Sequence, residues 1–82
     1  MAIKCILVDI DNVLISEVEQ IMSEVGDPDC KLINPYRFYD VDNMTPWVKA
    51  SNQSYFMLRS SDILTIVDPT EEVIEKYKQL TA

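Results

Sequence analysis

Asp9 and Asp11 close the apolar run Cys5 to Val8, and their type and spacing suit covalent chemistry better than any other pair in the chain. A carboxylate at the end of a buried strand can attack an electrophile. A second, two residues on, can serve as general acid with a divalent cation between them. The same stretch, ILVDIDNVLISEVEQI from Ile6 to Ile21, also reads as a hairpin: a strand, a turn at Asp11-Asn12, then a second strand. Both turn residues tolerate the positive φ that two-residue hairpins use. Length decides for the hairpin. An enzyme built on a parallel sheet with crossover helices would use about 30 residues per strand–helix–strand unit. This chain has 82 residues and one clear helical segment, at its end. A calcium loop starting at Asp9 is excluded too, because Val13, Leu14 and Ile15 stand where oxygen ligands and glycine are required.

Composition narrows the field further. Eighty-two residues make one domain, 1–82, with a marginal core that benefits from partners. Cys5 and Cys30 read as reduced, buried thiols, and the run Cys5 to Val8 is too short for a secretory segment, so a cytoplasmic protein is expected. The absence of histidine and the isolation of the two cysteines argue against a zinc site, and no cofactor is expected. No run approaches the ~20 apolar residues of a membrane span. The net charge of −7 speaks against general, non-specific binding to DNA.

The elements that must position any site follow from alternation and turn chemistry. Residues 2–10 read as a first strand and 13–22 as a second, with Gly26-Asp27-Pro28-Asp29 as a loop. Residues 30–40 read as a third strand. Pro35 is expected near its start or on an exposed register, since it cannot donate to a ladder. Val41 to Pro46 reads as a connection, and Trp47 to Ala50 as the opening of a fourth strand that resumes over Tyr55 to Arg59. Ser60-Ser61-Asp62 reads as a turn and Ile63 to Val67 as a fifth strand. Asp68 as N-cap, Pro69 at the first helical position and Glu71 in a capping box predict a helix over about 69–80. Its apolar face is Val73, Ile74, Tyr77 and Leu80, and Glu72 and Lys76 form an i,i+4 pair. The expected fold is mainly β: a small five-stranded barrel with a C-terminal helix.

Two family resemblances bear on function. VDIDNVL resembles the first motif of haloacid dehalogenase-like phosphatases, which would make Asp9 a nucleophile and Asp11 an acid/base. That family's later lysine and acidic metal pair have no counterparts here, so the carboxylates are expected to be structural and the protein not an enzyme. FMLRSSDILTIVDP, residues 56–69, resembles the second motif of Sm and Sm-like (LSm) RNA-binding proteins: an apolar strand, an arginine and glycine, a short polar turn, then an apolar strand. Arg59 takes the arginine position, while Ser60 replaces the glycine. DCKLINPYRF is similar to the Asp-x-x-Met-Asn segment of that family, with Asn34 in the asparagine position and Leu32 where an aromatic base-stacking residue is usual. Ser16 falls where the family often carries glycine at a bent strand. The INPY segment and the closing SSDILT and PTEE run resemble short acidic Sm-like proteins of marine phage (cyanophage) type.

The resemblance implies a five-stranded Sm-like (SH3-like) barrel in a homo-oligomeric ring of roughly five to seven copies, joined head to tail. It implies single-stranded RNA or another nucleic acid as ligand, in RNA processing, in a host cytoplasm if the source is a phage. Asn34 would bond a base edge, Arg59 would stack or contact phosphate, Ser60 and Leu32 would line the site, and Lys31 and Arg37 would assist electrostatically. The blander reading makes Arg59 a turn-flanking charge and Asn34 the start of a turn before Pro35. Its functional counterpart is an SH3-like protein-interaction or assembly module without nucleic acid, which the charge of −7 favours.

Overall fold

The computed structural model describes residues 2–20 and 29–82. Ile21, Met22 and the Gly26-Asp27-Pro28 part of the expected loop lie outside the described residues. The elements are β1 (Ala2–Asp9), β2 (Asn12–Gln20), β3 (Cys30–Asp40), β4 (Asn43–Pro46), β5 (Tyr55–Leu58), β6 (Thr65–Val67) and α1 (Glu71–Thr81). The strands form one antiparallel sheet in the order β4-β3-β2-β1-β6, with β5 also paired to β3. The molecule is mainly β with a C-terminal helix, as expected, but among the described residues it has six strands and the sheet does not close. The extra strand, β4, replaces the expected connection. The Asp40 carboxylate accepts the Asp42 backbone N–H at 2.8 Å, and the chain reverses at Val41-Asp42 back onto β3. The strand expected at Trp47–Ala50 is a turn, closed by Ser51 N–H donating to the Val48 carbonyl at 3.3 Å.

β5 and β6 are consecutive yet do not pair with each other. A 3₁₀ turn over Ser60–Asp62 carries the chain across to β1, where Leu64 N–H donates to the Leu7 carbonyl at 2.8 Å. β6 then lies along β1, with Ile66 opposite Ile6. Among the described residues, β5 has only β3 as a neighbour and β6 only β1, so both keep an open edge.

Alternation along β2 sends Leu14 and Ile15 to opposite faces of the sheet. Leu14 joins Ile6 and Leu32 in one core, with Val8, Val18, Trp47, Leu58 and Ile63 around them. Ile15 joins Met44 and the helical residues Val73 and Tyr77 in the other, flanked by Ile3, Tyr36, Phe38 and Val41. Each fully buried aliphatic side chain contributes on the order of 1.5–3 kcal/mol. The helix begins later than expected. Thr70 is its N-cap, accepting from Val73 N–H at 3.4 Å, while Asp68 forms an ion pair with Lys4. Lys76 pairs with Asp42 at 3.4 Å, so the helix is tied to the β3–β4 turn. Leu80, expected on the buried face, is 48% exposed.

Candidate functional site

The first hairpin turns at Ile10-Asp11, one residue earlier than expected, with Asp9 opposite Asn12. Neither turn residue has positive φ. The reversal is held by Asp9, whose carboxylate accepts the Asp11 backbone N–H at 2.9 Å and the Asn12 side-chain amide at 2.7 Å. These bonds, the Asn12 side chain's first, hold the Asp9 carboxyl below the usual carboxylate range. Among the described residues, no group of three or more His, Cys, Asp or Glu side chains gathers as a metal site.

Asn34 sits at a bulge built by its neighbour. Pro35 has no N–H, so the β2–β3 ladder cannot run through it. The register jumps from Ile15↔Tyr36 to Glu17↔Ile33, setting two residues, Asn34 and Pro35, against Ser16. Asn34 takes φ 53°, a left-handed conformation that asparagine tolerates better than most residues. Pro35 is therefore mid-strand and buried, neither near the strand start nor on an exposed register. The bulge frees carbonyls, and buried side chains satisfy them. The Tyr77 hydroxyl shares its one proton between the Ile33 and Asn34 carbonyls, at 3.0 and 2.9 Å, and accepts Glu17 N–H at 3.2 Å. Ser16 Oγ donates to the Ile33 carbonyl at 3.0 Å, from a side chain with no solvent exposure. Burial pushes the Tyr77 phenol up to about 12.

The remaining candidate residues separate into groups. Beyond the Tyr55 end of the β3–β5 ladder, Asn34 N–H donates to the Ser54 carbonyl at 2.7 Å. Lys31 extends its ammonium over the Tyr55 ring, 4.7 Å from the centroid. Arg59 and Ser60 follow Leu58, at the other end of the same ladder. At about 3.3 Å per residue, the five residues from Ser54, level with Asn34, to Arg59 place the two roughly 17 Å apart along the strand. At that end Asp29 grips the loop. Its carboxylate accepts Ser60 N–H at 2.7 Å and the Ser60 hydroxyl at 2.9 Å, and these bonds lower the Asp29 carboxyl from its ordinary value. Arg59 lies 3.4 Å from Asp62.

Two expected site residues stand elsewhere. Leu32 has no solvent exposure and belongs to the core, because even-numbered residues of β3 before the bulge face inward; it cannot touch a ligand. Arg37 is at the hairpin end of the sheet, 5.1 Å from the Tyr39 ring and 3.4 Å from the Asp11 carbonyl. The residues that sequence reasoning missed are Tyr55 and Tyr77. Asp29 is visible in the sequence as the acidic residue just before the third strand, one residue too far from Asn34 for the acidic position of the Sm-like segment.

Among the described residues, fold and site together define a small, open-sheet β domain with exposed side chains on β5 and the loop after it. The chain belongs to the family of unknown function DUF6561, whose model matches residues 1–82. No curated protein matches it. Among the described residues, no helix is long and apolar enough to cross a membrane.

Proposed function

We propose that this protein is a non-catalytic ring subunit of Sm-like type that holds single-stranded RNA. The observation that carries the reading is the pair of open edges. β5 exposes Tyr55 and Met57; β6 exposes Ile66 and Val67, with Leu64 just ahead of it. Neither strand carries a charged residue. Soluble proteins normally protect such edges with charge, proline or cover. Pairing β5 of one copy with β6 of the next would cover both. The contact is head to tail, so it closes into a ring when the rotation allows. Repetition around a ring would also multiply the few cations of an acidic chain.

The second reading is an assembly module without nucleic acid. It is favoured by Arg59 being engaged with Asp62 and Ser60 with Asp29. Sedimentation and oligonucleotide titration separate the two. Sedimentation at micromolar concentration should give a single oligomer, and Ile66→Lys should give monomer, because an ammonium would be buried without a partner. Wild-type sedimentation as a monomer sinks the ring. Labelled oligouridine should bind the ring at low salt and weaken with Arg59→Ala; a ring that binds no oligonucleotide leaves the assembly reading.

A further inference from the structure

The position where Sm-like proteins usually carry a base-stacking aromatic is occupied by Leu32, which is buried. An aromatic is nevertheless present on the opposite face of the same ladder. Tyr55 stands opposite Ile33 and Met57 opposite Lys31, and directly opposed residues share a face. Tyr55 is 48% exposed. Lys31 lies over its ring and, among the described residues, has no carboxylate partner at ion-pair distance. Glu19 is its cross-strand neighbour on β2, but the ammonium turns to the ring instead. Lys4, Arg59 and Lys76, by contrast, are each engaged with an aspartate. The strand leads into Asn34, whose backbone is fixed by Ser54 on one side and by Tyr77 on the other.

We infer that Tyr55 and Lys31 form a nucleotide subsite: a base of single-stranded RNA stacks on the Tyr55 ring and the adjoining phosphate takes the Lys31 ammonium. Every base has a π-face, so the platform is tolerant of sequence. An exposed cation–π contact is weak, and a stacked base is the more favourable occupant of the ring. The ammonium then swings to the phosphate, and no aspartate among the described residues holds it back. Side chains stand perpendicular to the sheet, so the subsite remains open when the β5 edge pairs in its plane with another copy. The inference rests on the nucleic-acid half of the proposed function and relocates its stacking contact from the loop after β5 to the face of β3 and β5.

The test is fluorescence anisotropy with labelled oligouridine, with the oligomeric state of each variant checked by sedimentation. Tyr55→Ala should weaken binding by about tenfold to a hundredfold, while Tyr55→Phe, which keeps the ring, should bind like wild type. Lys31→Gln should reduce the salt slope by ~0.7 for each phosphate released. Glu19→Gln should strengthen binding by removing a repelling carboxylate. If Arg59→Ala abolishes binding while Tyr55→Ala and Lys31→Gln do not change it, the subsite is wrong and the proposed function stands. If the intact ring binds no oligouridine at low salt, both fall together. Should Tyr55→Ala lose the ring, Lys31→Gln decides alone: an unchanged salt slope overturns the subsite.

Discussion

The two ends of the β3–β5 ladder meet the same need by different means. At the Asn34 end the backbone bulges, and the exposed carbonyls are taken up inside the protein by the Tyr77 hydroxyl and the buried Ser16. At the Asp29 end the chain leaves β5 into a 3₁₀ turn, and the tie is an exposed carboxylate bonding Ser60. A hydrogen bond that cannot be replaced by water is costly to lose, whereas one at the surface is readily exchanged for solvent. The first end is therefore a determinant of the fold and the second an adjustable loop. The Arg59–Ser60 loop can be reshaped at small cost, while the Asn34 backbone is fixed by the body of the protein.

Removing the Tyr77 hydroxyl should have the largest effect. Tyr77→Phe keeps the ring, its edge-to-face contact with Tyr36 at 6.0 Å and its packing on Ile15 and Val73. It strips Glu17 N–H and the Asn34 carbonyl of a buried partner. The expected loss is about 1–3 kcal/mol. For a domain of this size that lowers the melting temperature by roughly 5–20 °C. The same phenol makes the wild type sensitive to alkali. Its pKa is raised from 10.0 to about 12 in the folded state. Its stabilisation is thus full below pH 10.0 and is lost as the pH rises toward and through about 12. Tyr77→Phe should flatten this alkaline loss. An unchanged melt in Tyr77→Phe would show that the hydroxyl does not tie the helix to the bulge.

Most strands were legible from the sequence, since 2–10 and 30–40 are strand-like runs rich in apolar residues and bounded by turn residues. The bulge was only half legible. Asn34-Pro35 announced a break in the ladder, but the groups that repair it come from Ser16 and from Tyr77, 43 residues beyond Asn34. No local pattern encodes that meeting. β4 was lost because Asn43–Pro46 is short, polar and ends in proline; it is a strand only because the Asp40 turn folds it onto β3. The helix start was misplaced because Asp68, Pro69 and Thr70 all suit a helix entrance, and the ion pair with Lys4 removes Asp68 from the competition. Of the candidate site, Asn34 and Arg59 were visible as residue types, but their separation is a matter of strand register. Tyr55 carried no signal, because a tyrosine opening an apolar strand reads equally well as core.

Cutting the surface tie should have a smaller, local effect. Asp29→Ala removes both bonds to Ser60. The melting temperature should move little, and amide exchange at Ser60 should speed up. In the wild type the Asp29 carboxyl is depressed below its ordinary value of 3.8 by those bonds. The tie is therefore complete above pH 3.8 and is lost as the pH falls through the lower folded value. Ser60 exchange, corrected for its intrinsic pH dependence, should rise over that acid window in wild type and not in Asp29→Ala. An exchange rate unaffected by Asp29→Ala would mean that the loop is fixed by the 3₁₀ turn alone, and the contrast between the two ends would vanish.

The smallest effects belong to the first hairpin, which resembles the Asn34 end in being a turn repaired by a side chain, yet is exposed. Asp11 has negative φ, so glycine brings no relief there and only loosens the unfolded chain. Asp11→Gly should cost under about 1 kcal/mol. Asp9→Asn should be felt more. It replaces a charged acceptor of two bonds by a neutral one, and an amide in that position can present only one oxygen to the Asp11 N–H and the Asn12 amide. If Asp9 is a turn residue, its loss is read in hairpin stability alone. Hydrolysis of aryl phosphates with magnesium should be undetectable in wild type and unchanged in Asp9→Asn. A magnesium-dependent turnover that disappears in Asp9→Asn would reverse the assignment. The carboxylate would then be a nucleophile, and the hydrogen bonds that lower its pKa would be keeping it ionised for attack instead of closing the turn.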